Sequence, residues 1–229
     1  MSDHKNLFRL LLVDSHALFR TSLARLLAAE GDFEVAGECA AAPEALEVLK
    51  STTVDVVLLD FDIGGERGNA FITSARRDGY SGHFLVIAGT ADMDHYALAL
   101  TSGASGVFLK SERPDRLVQA IRLVASGGVW VDPSVVQRFA ERFMHEGHGL
   151  EHAANRLEDR EEEVLEGILS GMTNRKIGMH MGLSESSVKN ILQGLFGKAG
   201  VRTRSQLVKL ALEGSLGRIP SLTARQSGD

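Results

Sequence analysis

The chain has 229 residues and a formal net charge of −5, and 44% of its side chains are hydrophobic. That composition suits one large or two smaller ordinary cores and excludes a long disordered polypeptide. A single cysteine, Cys39, excludes an internal disulfide and a cysteine-built zinc site, and it reads as a small buried hydrophobe.

The opening MSDHKNLFRLLLVD lacks the basic region, long apolar stretch and small-residue cleavage site of a signal peptide. No run approaches the roughly 18 apolar residues that span a bilayer, so a cytoplasmic protein without membrane contact is expected. The first elements are short apolar runs separated by segments of helical period: FRLLLVD, the weaker FEVAGEC, VDVVLLD, HFLVIAG and GVFLK. Helical stripes fill the gaps, with Leu18, Leu23, Leu26 and Leu27, then Ala45, Leu46 and Leu49, and later Leu117, Ile121 and Val124. Five buried strands alternating with five amphipathic helices predict an α/β doubly wound, flavodoxin-like unit over residues 1–131.

In such a sheet all strands finish on one edge, where ligands bind. The first strand is expected to end at Asp14, the third at Asp60 and the fifth at Lys110, so two carboxylates and an ammonium converge there. Asp14, Ser15 and His16 stand in a row, but three consecutive side chains diverge, and the chain has no G-x-S-x-G elbow. A hydrolytic triad is therefore excluded, and His16 is expected to begin the first helix.

VDVVLLDFDIGGERG, with Gly68 eight residues after Asp60, resembles the phosphoacceptor segment of response-regulator receiver domains. GASGVFLK resembles their closing strand, and the likeness runs from residue 7 to about residue 126. The resemblance implies that Asp60 accepts a phosphoryl group and that Lys110 contacts it. It also implies that Asp14, Asp60 and the backbone carbonyl of Asp62 hold Mg2+. The physical need is plain: a carboxylate that approaches a polyanion requires cations beside it. Four positions depart from the family pattern. Ser15 replaces the second acid of a pair, which is expected to weaken Mg2+ binding. Ala88 stands where a hydroxyl ends the fourth strand, with Thr90 two residues on; Val107 replaces an aromatic residue, and Gly64 a proline.

The pattern changes after SGGVWVDPS. Residues 132–156 read as a short helix and a polar linker, in which His145, His148 and His152 are a solvated run rather than a metal clip. Residues 157–214 read as four compact helices, and 215–229 as a tail expected to be disordered. Leu157, Val164, Leu165, Ile168 and Leu169 form the first stripe, stopped at Gly171. Thr173 caps NRKIGMHM, Ser184 caps ESSVKNILQGLFGKA, and Thr203 with Gln206 forms a capping box for the last helix.

Between Gly171 and Leu210 seven Lys and Arg face Glu185 alone, the electrostatic footprint of a polyanion partner. Two short helices joined by MGLSE have the proportions of a helix-turn-helix, whose second helix reads the major groove. Ser186, Ser187, Lys189, Asn190 and Gln193 are expected at base edges or backbone, and Arg175, Lys176, Arg202 and Arg204 at phosphates. The segments GMTNRKI, LSESSVK and KAGVRTRSQL resemble the LuxR-type helix-turn-helix of NarL/FixJ-class response regulators, with Ile191 in place of a common histidine.

The resemblance implies a two-component regulator of transcription rather than an enzyme. Its receiver, phosphorylated on Asp60 by a sensor histidine kinase, would control binding of a homodimer to double-stranded DNA. Two alternatives stay open: a DNA-binding regulator independent of phosphorylation, and a protein-docking or phosphate-sink module.

Overall fold

The computed structural model describes residues 7–89, 93–132, 157 and 159–213. Thr90, the expected linker helix, His145, His148, His152 and the tail lie outside the described residues. The chain divides into two compact units, Met1–Asp132 and Pro133–Asp229. None of the described helices is long and apolar enough to cross a membrane.

In the first unit β1 (Phe8–Val13), β2 (Phe33–Cys39), β3 (Val56–Asp60), β6 (His83–Ala88) and β7 (Gly106–Leu109) form one parallel sheet in the order β2-β1-β3-β6-β7. Helices α1 (Ala17–Ala28), α2 (Ala42–Ser51), α3 (Gly68–Arg77), α4 (Met93–Ser102) and α5 (Pro114–Ala125) connect the strands. Every residue of β3 is buried, as expected of a central strand covered on both faces. Leu10 and Leu12 of β1 join Leu58, Ile87 and Phe108 in one cluster, closed by Leu23 and Leu27 of α1 and Leu117, Ile121 and Val124 of α5. On the opposite face Phe71 of α3 meets Phe84 of β6 edge-on, 6.0 Å between centroids.

The strand order reverses between β1 and β3, which makes their carboxyl ends a topological switch point. Register Val13 to Leu59 carries Asp14 alongside Asp60. After Asp60 the chain forms a hairpin that the periodicity does not reveal, β4 (Asp62–Ile63) against β5 (Glu66–Arg67). Its turn, Gly64-Gly65, has φ of 60° and 98°, the two positive values of a type I′ turn. Proline cannot adopt that φ, which accounts for Gly64 at this position.

The second unit packs α6 (Asp159–Leu169), α7 (Asn174–Met181), α8 (Glu185–Ala199) and α9 (Arg204–Leu212) around Val164, Ile168, Ile177, Val188, Leu195, Leu207 and Val208. Leu157, expected within the first stripe, lies before α6 and is half-buried. Thr173, Ser184 and Thr203 each accept a backbone N–H as N-caps. Gln206 accepts from the N–H of Arg202, one residue before the cap itself, so the expected box is shifted by one position. The turn between α7 and α8 passes so close that a Cβ on Gly178 would lie 2.7 Å from the carbonyl oxygen of Leu183.

Candidate functional site

Asp14 and Lys110 each follow the last residue of their strand, while Asp60 is the last residue of β3. Lys110 Nζ donates to Asp14 Oδ2 at 2.8 Å and to Asp60 Oδ2 at 2.9 Å. Both carboxylates are buried, with residue exposures of 4% and 6%. Two acids against one ammonium leave a negative charge inside the crevice, which attracts a further cation. Lys110 Nζ also lies 4.4 Å from the ring centroid of Phe19, so an aromatic face supports the ammonium from one side.

Asp14 is fixed from several directions. Its Oδ1 accepts the backbone N–H of His16 at 2.7 Å and faces His16 Nδ1 at 2.9 Å, while Arg20 Nη1 donates to its carbonyl oxygen at 2.5 Å. Burial pushes the Asp14 carboxyl up, but the hydrogen bonds from Lys110 and His16 outweigh it and hold the group below the usual range. Burial pulls the Lys110 ammonium down, and its bonds to Asp14 and Asp60 reverse that and raise it. Both directions favour the charged forms. Cys39, buried nearby at the end of β2, has its thiol pushed up to about 11 by burial and is inert.

His16 is the N-cap residue of α1, and its side chain makes no capping bond. Its ring stays largely exposed at the rim of the pocket, with Nδ1 3.4 Å from Asp60 Oδ2. Among the described residues Asp14, His16 and Asp60 form a group whose potential ligand atoms all lie within 4.8 Å. His16, expected to begin the first helix, stands at its N-cap, and its approach to the two carboxylates was not foreseen; the signal was only its position two residues after Asp14. Asp62 is exposed, and its Oδ1 accepts from Gly65 N–H at 3.2 Å. Gly68 opens α3 where a Cβ would sit 2.9 Å from the Asp60 carbonyl oxygen, so only glycine lets the helix start this close to Asp60.

Ala88 and Val107 are both buried, so neither a hydroxyl nor an aromatic ring links the pocket outward at those positions. A different aromatic contact lies beside it: Phe61, the residue after Asp60, faces His95 of α4 with centroids 4.2 Å apart.

In the second unit α7 and α8 form the two helices of a helix-turn-helix, joined by Gly182 at φ 66°, Leu183 and Ser184. Ser186, Lys189, Asn190 and Gln193 lie on the exposed side of α8, and Arg175, Lys176 and Arg202 are exposed as well. Lys189 pairs with Glu185 at 3.1 Å, and the Ser187 hydroxyl is 2.8 Å from that of the N-cap Ser184. Arg204 does not sit where a phosphate contact was expected. It is only 9% exposed, donates to Asn174 Oδ1 at 2.7 Å and to the carbonyl of Met172, and so ties α9 to the start of α7. A second internal tie, unforeseen because it joins residues 37 apart, is Lys198 Nζ to the buried Glu161 at 2.7 Å.

Residues 10–122 match the response regulator receiver domain, and residues 155–211 match the luxR family of bacterial regulatory proteins. Over 206 residues the chain is 31% identical to the nitrate/nitrite response regulator protein homolog of Haemophilus influenzae, covering 90% of this chain and 96% of that protein. It is likewise 31% identical over 207 residues to the nitrate/nitrite response regulator protein NarP of Escherichia coli, covering 90% and 95%. A solved LuxR-family two-component response regulator from Aurantimonas sp. is 29% identical, with a TM-score of 0.58 over 61% of this chain and 99% of that one. RcsB, solved as two dimers on two parallel DNAs, shares the fold at 20% identity, with a TM-score of 0.55 over 91% and 99%.

These matches define a two-component response regulator, a transcription regulator rather than an enzyme. The chain belongs to its NarL/FixJ class, in which a receiver domain is joined to a LuxR-type DNA-binding domain.

Proposed function

We propose that Asp60 is the phosphoacceptor, that a sensor histidine kinase supplies the phosphoryl group, and that the modified receiver controls binding of a homodimer to double-stranded DNA in the cytoplasm. The observation that carries this reading is the double hydrogen bond of Lys110 to Asp14 and Asp60. An Asp60 oxygen attacks the phosphorus, and the donor's nitrogen leaves with the bonding pair. Lys110 then has a phosphoryl oxygen to bind in exchange for Asp60 Oδ2. Asp14, Asp60 and the Asp62 carbonyl are the groups that would hold Mg2+, which when bound offsets the charge of the phosphoryl oxygens. With Ser15 in place of a second acid, that affinity is reduced.

On the DNA-binding surface Lys189, Asn190 and Gln193, with Ser186 and Ser187 at the start of α8, are proposed to meet base edges and backbone. Arg175, Lys176 and Arg202 are proposed to meet phosphates, and Arg204 is left out of the set. RcsB as dimers on DNA supports a paired arrangement. Labelling with a small radioactive phosphodonor tests the reading: incorporation should be lost in Asp60→Asn and strongly reduced in Lys110→Ala. Native protein that takes up no label would favour regulation without phosphorylation, a reading supported by Ala88 and Val107.

A further inference from the structure

Of the seven cations between Gly171 and Leu210, three are engaged within the second unit: Lys198 with Glu161, Arg204 with Asn174 and Lys209 with Glu213. Arg175, Lys176, Lys189 and Arg202 are exposed, and the one acid of the stretch, Glu185, opens the first turn of α8. We infer that Glu185 is a positioning residue for Lys189: it withholds that ammonium from phosphates and so sets the sequence specificity of the DNA contact. The inference rests on the proposed DNA-binding surface and goes beyond it by giving the acid on that surface a role.

An acid at the leading end of a helix that enters the major groove is repelled by the DNA, so it costs affinity. Glu185 Oε1 lies 3.1 Å from Lys189 Nζ, one helical turn away, and the two side chains are 48% and 62% exposed. A pair that open to solvent adds little to stability. The helix start does not depend on the carboxylate either, because the Ser184 hydroxyl already accepts the N–H of Ser187. What the pair does change is the reach of the lysine. Glu185 draws the ammonium toward the N-terminal end of α8, the end that meets base edges. An unpaired lysine is a point charge on a flexible stem and finds a phosphate on any sequence. Held by Glu185, it must give up one anion to reach another, and the carboxylate left behind then faces the phosphates alone. A guanine O6 or N7 within reach of the paired ammonium requires no such exchange. The acid therefore weakens contact with a wrong sequence more than with the right one, which is how a repulsive element creates specificity.

The test uses the full-length chain with a small phosphodonor and Mg2+ in every sample. Two probes are compared by anisotropy over a range of salt: a duplex that the native chain enriches from a random-sequence pool, and the unselected pool. Glu185→Gln should bind the unselected pool about threefold or more tightly and steepen its salt dependence by about one per subunit. The ratio of selected to unselected affinity should fall. In a Lys189→Ala background the same substitution should leave that ratio unchanged, because no ammonium remains to be released. A role confined to the helix end would shift the melting temperature and change both affinities by one factor. That result, a ratio that still falls without Lys189, or a native chain that enriches no sequence overturns the inference. Lys189→Ala on its own separates the two ideas. If it binds both probes as the native chain does, the proposed surface and the inference fall together; if it weakens binding while Glu185→Gln leaves the ratio intact, the inference alone falls.

Discussion

Lys110 Nζ reaches Asp60 Oδ2 at 2.9 Å across 50 residues of sequence, and the same ammonium holds Asp14. One cation thus bridges two buried acids side by side. Lys110→Met should destabilise the receiver by about 1–3 kcal/mol near neutral pH, because it removes the ammonium that both buried carboxylates share. The deficit should shrink as pH falls and Asp14 protonates. Urea unfolding of both proteins between pH 4 and 7 measures it, and a deficit that does not vary with pH would show that the pair is not electrostatically coupled.

Asp14 sets a second pH dependence. Its carboxyl is held below the usual range in the fold, so on acidification the unfolded chain binds the proton first. The stabilisation is present above about pH 4, the ordinary carboxylate value, and is lost as pH falls through the lower folded value. Lys110 works in the opposite sense: its raised value stabilises the fold below about pH 10.4 and is lost as pH rises beyond the folded value. Asp14→Asn should flatten the acid limb of a stability-against-pH curve, and an unaltered limb would assign acid unfolding to other groups.

Arg202 and Arg204 are two residues apart and should respond in opposite ways. Arg202 is exposed, so Arg202→Ala should weaken duplex DNA binding and lower the salt slope by about one, with the melting temperature unchanged. Arg204 is internal, so Arg204→Ala should cost about 1–3 kcal/mol in stability by orphaning Asn174 and the Met172 carbonyl. Thermal melts and salt-dependent anisotropy on both variants distinguish the roles.

Glycines in the second unit divide the same way. Added Cβ atoms on Gly194 and Gly197 of α8 would meet nothing within 4 Å, so Gly194→Ala and Gly197→Ala should each stabilise the helix by about 0.5–1 kcal/mol. Gly178→Ala would press against the Leu183 carbonyl and should destabilise. Melting temperatures that move in the same direction for all three would contradict the packing described.

Much of this was legible in the chain because it lies in local patterns. Strand runs and helical stripes gave the sheet, and the Thr173, Ser184 and Thr203 caps follow from residues three positions apart. The convergence of Asp14, Asp60 and Lys110 followed from parallel strands ending on one edge. What was not legible depends on tertiary contact. Arg204 read as a phosphate contact, but its guanidinium is held by α7, and the burial of Glu161 against Lys198 leaves no mark in the local pattern. His16 approaches the two carboxylates because Asp14 holds its backbone, a choice of rotamer that spacing does not encode. The Gly64-Gly65 hairpin was hidden because its two strands are each only two residues long.

The central claim is that the state of Asp60 controls the DNA-binding half of the chain. Dimerisation and duplex affinity should be measured together on native protein and Asp60→Asn, each with and without a small phosphodonor and Mg2+. The account predicts a rise in both for phosphodonor-treated native protein and no response in Asp60→Asn. Four identical results would contradict it.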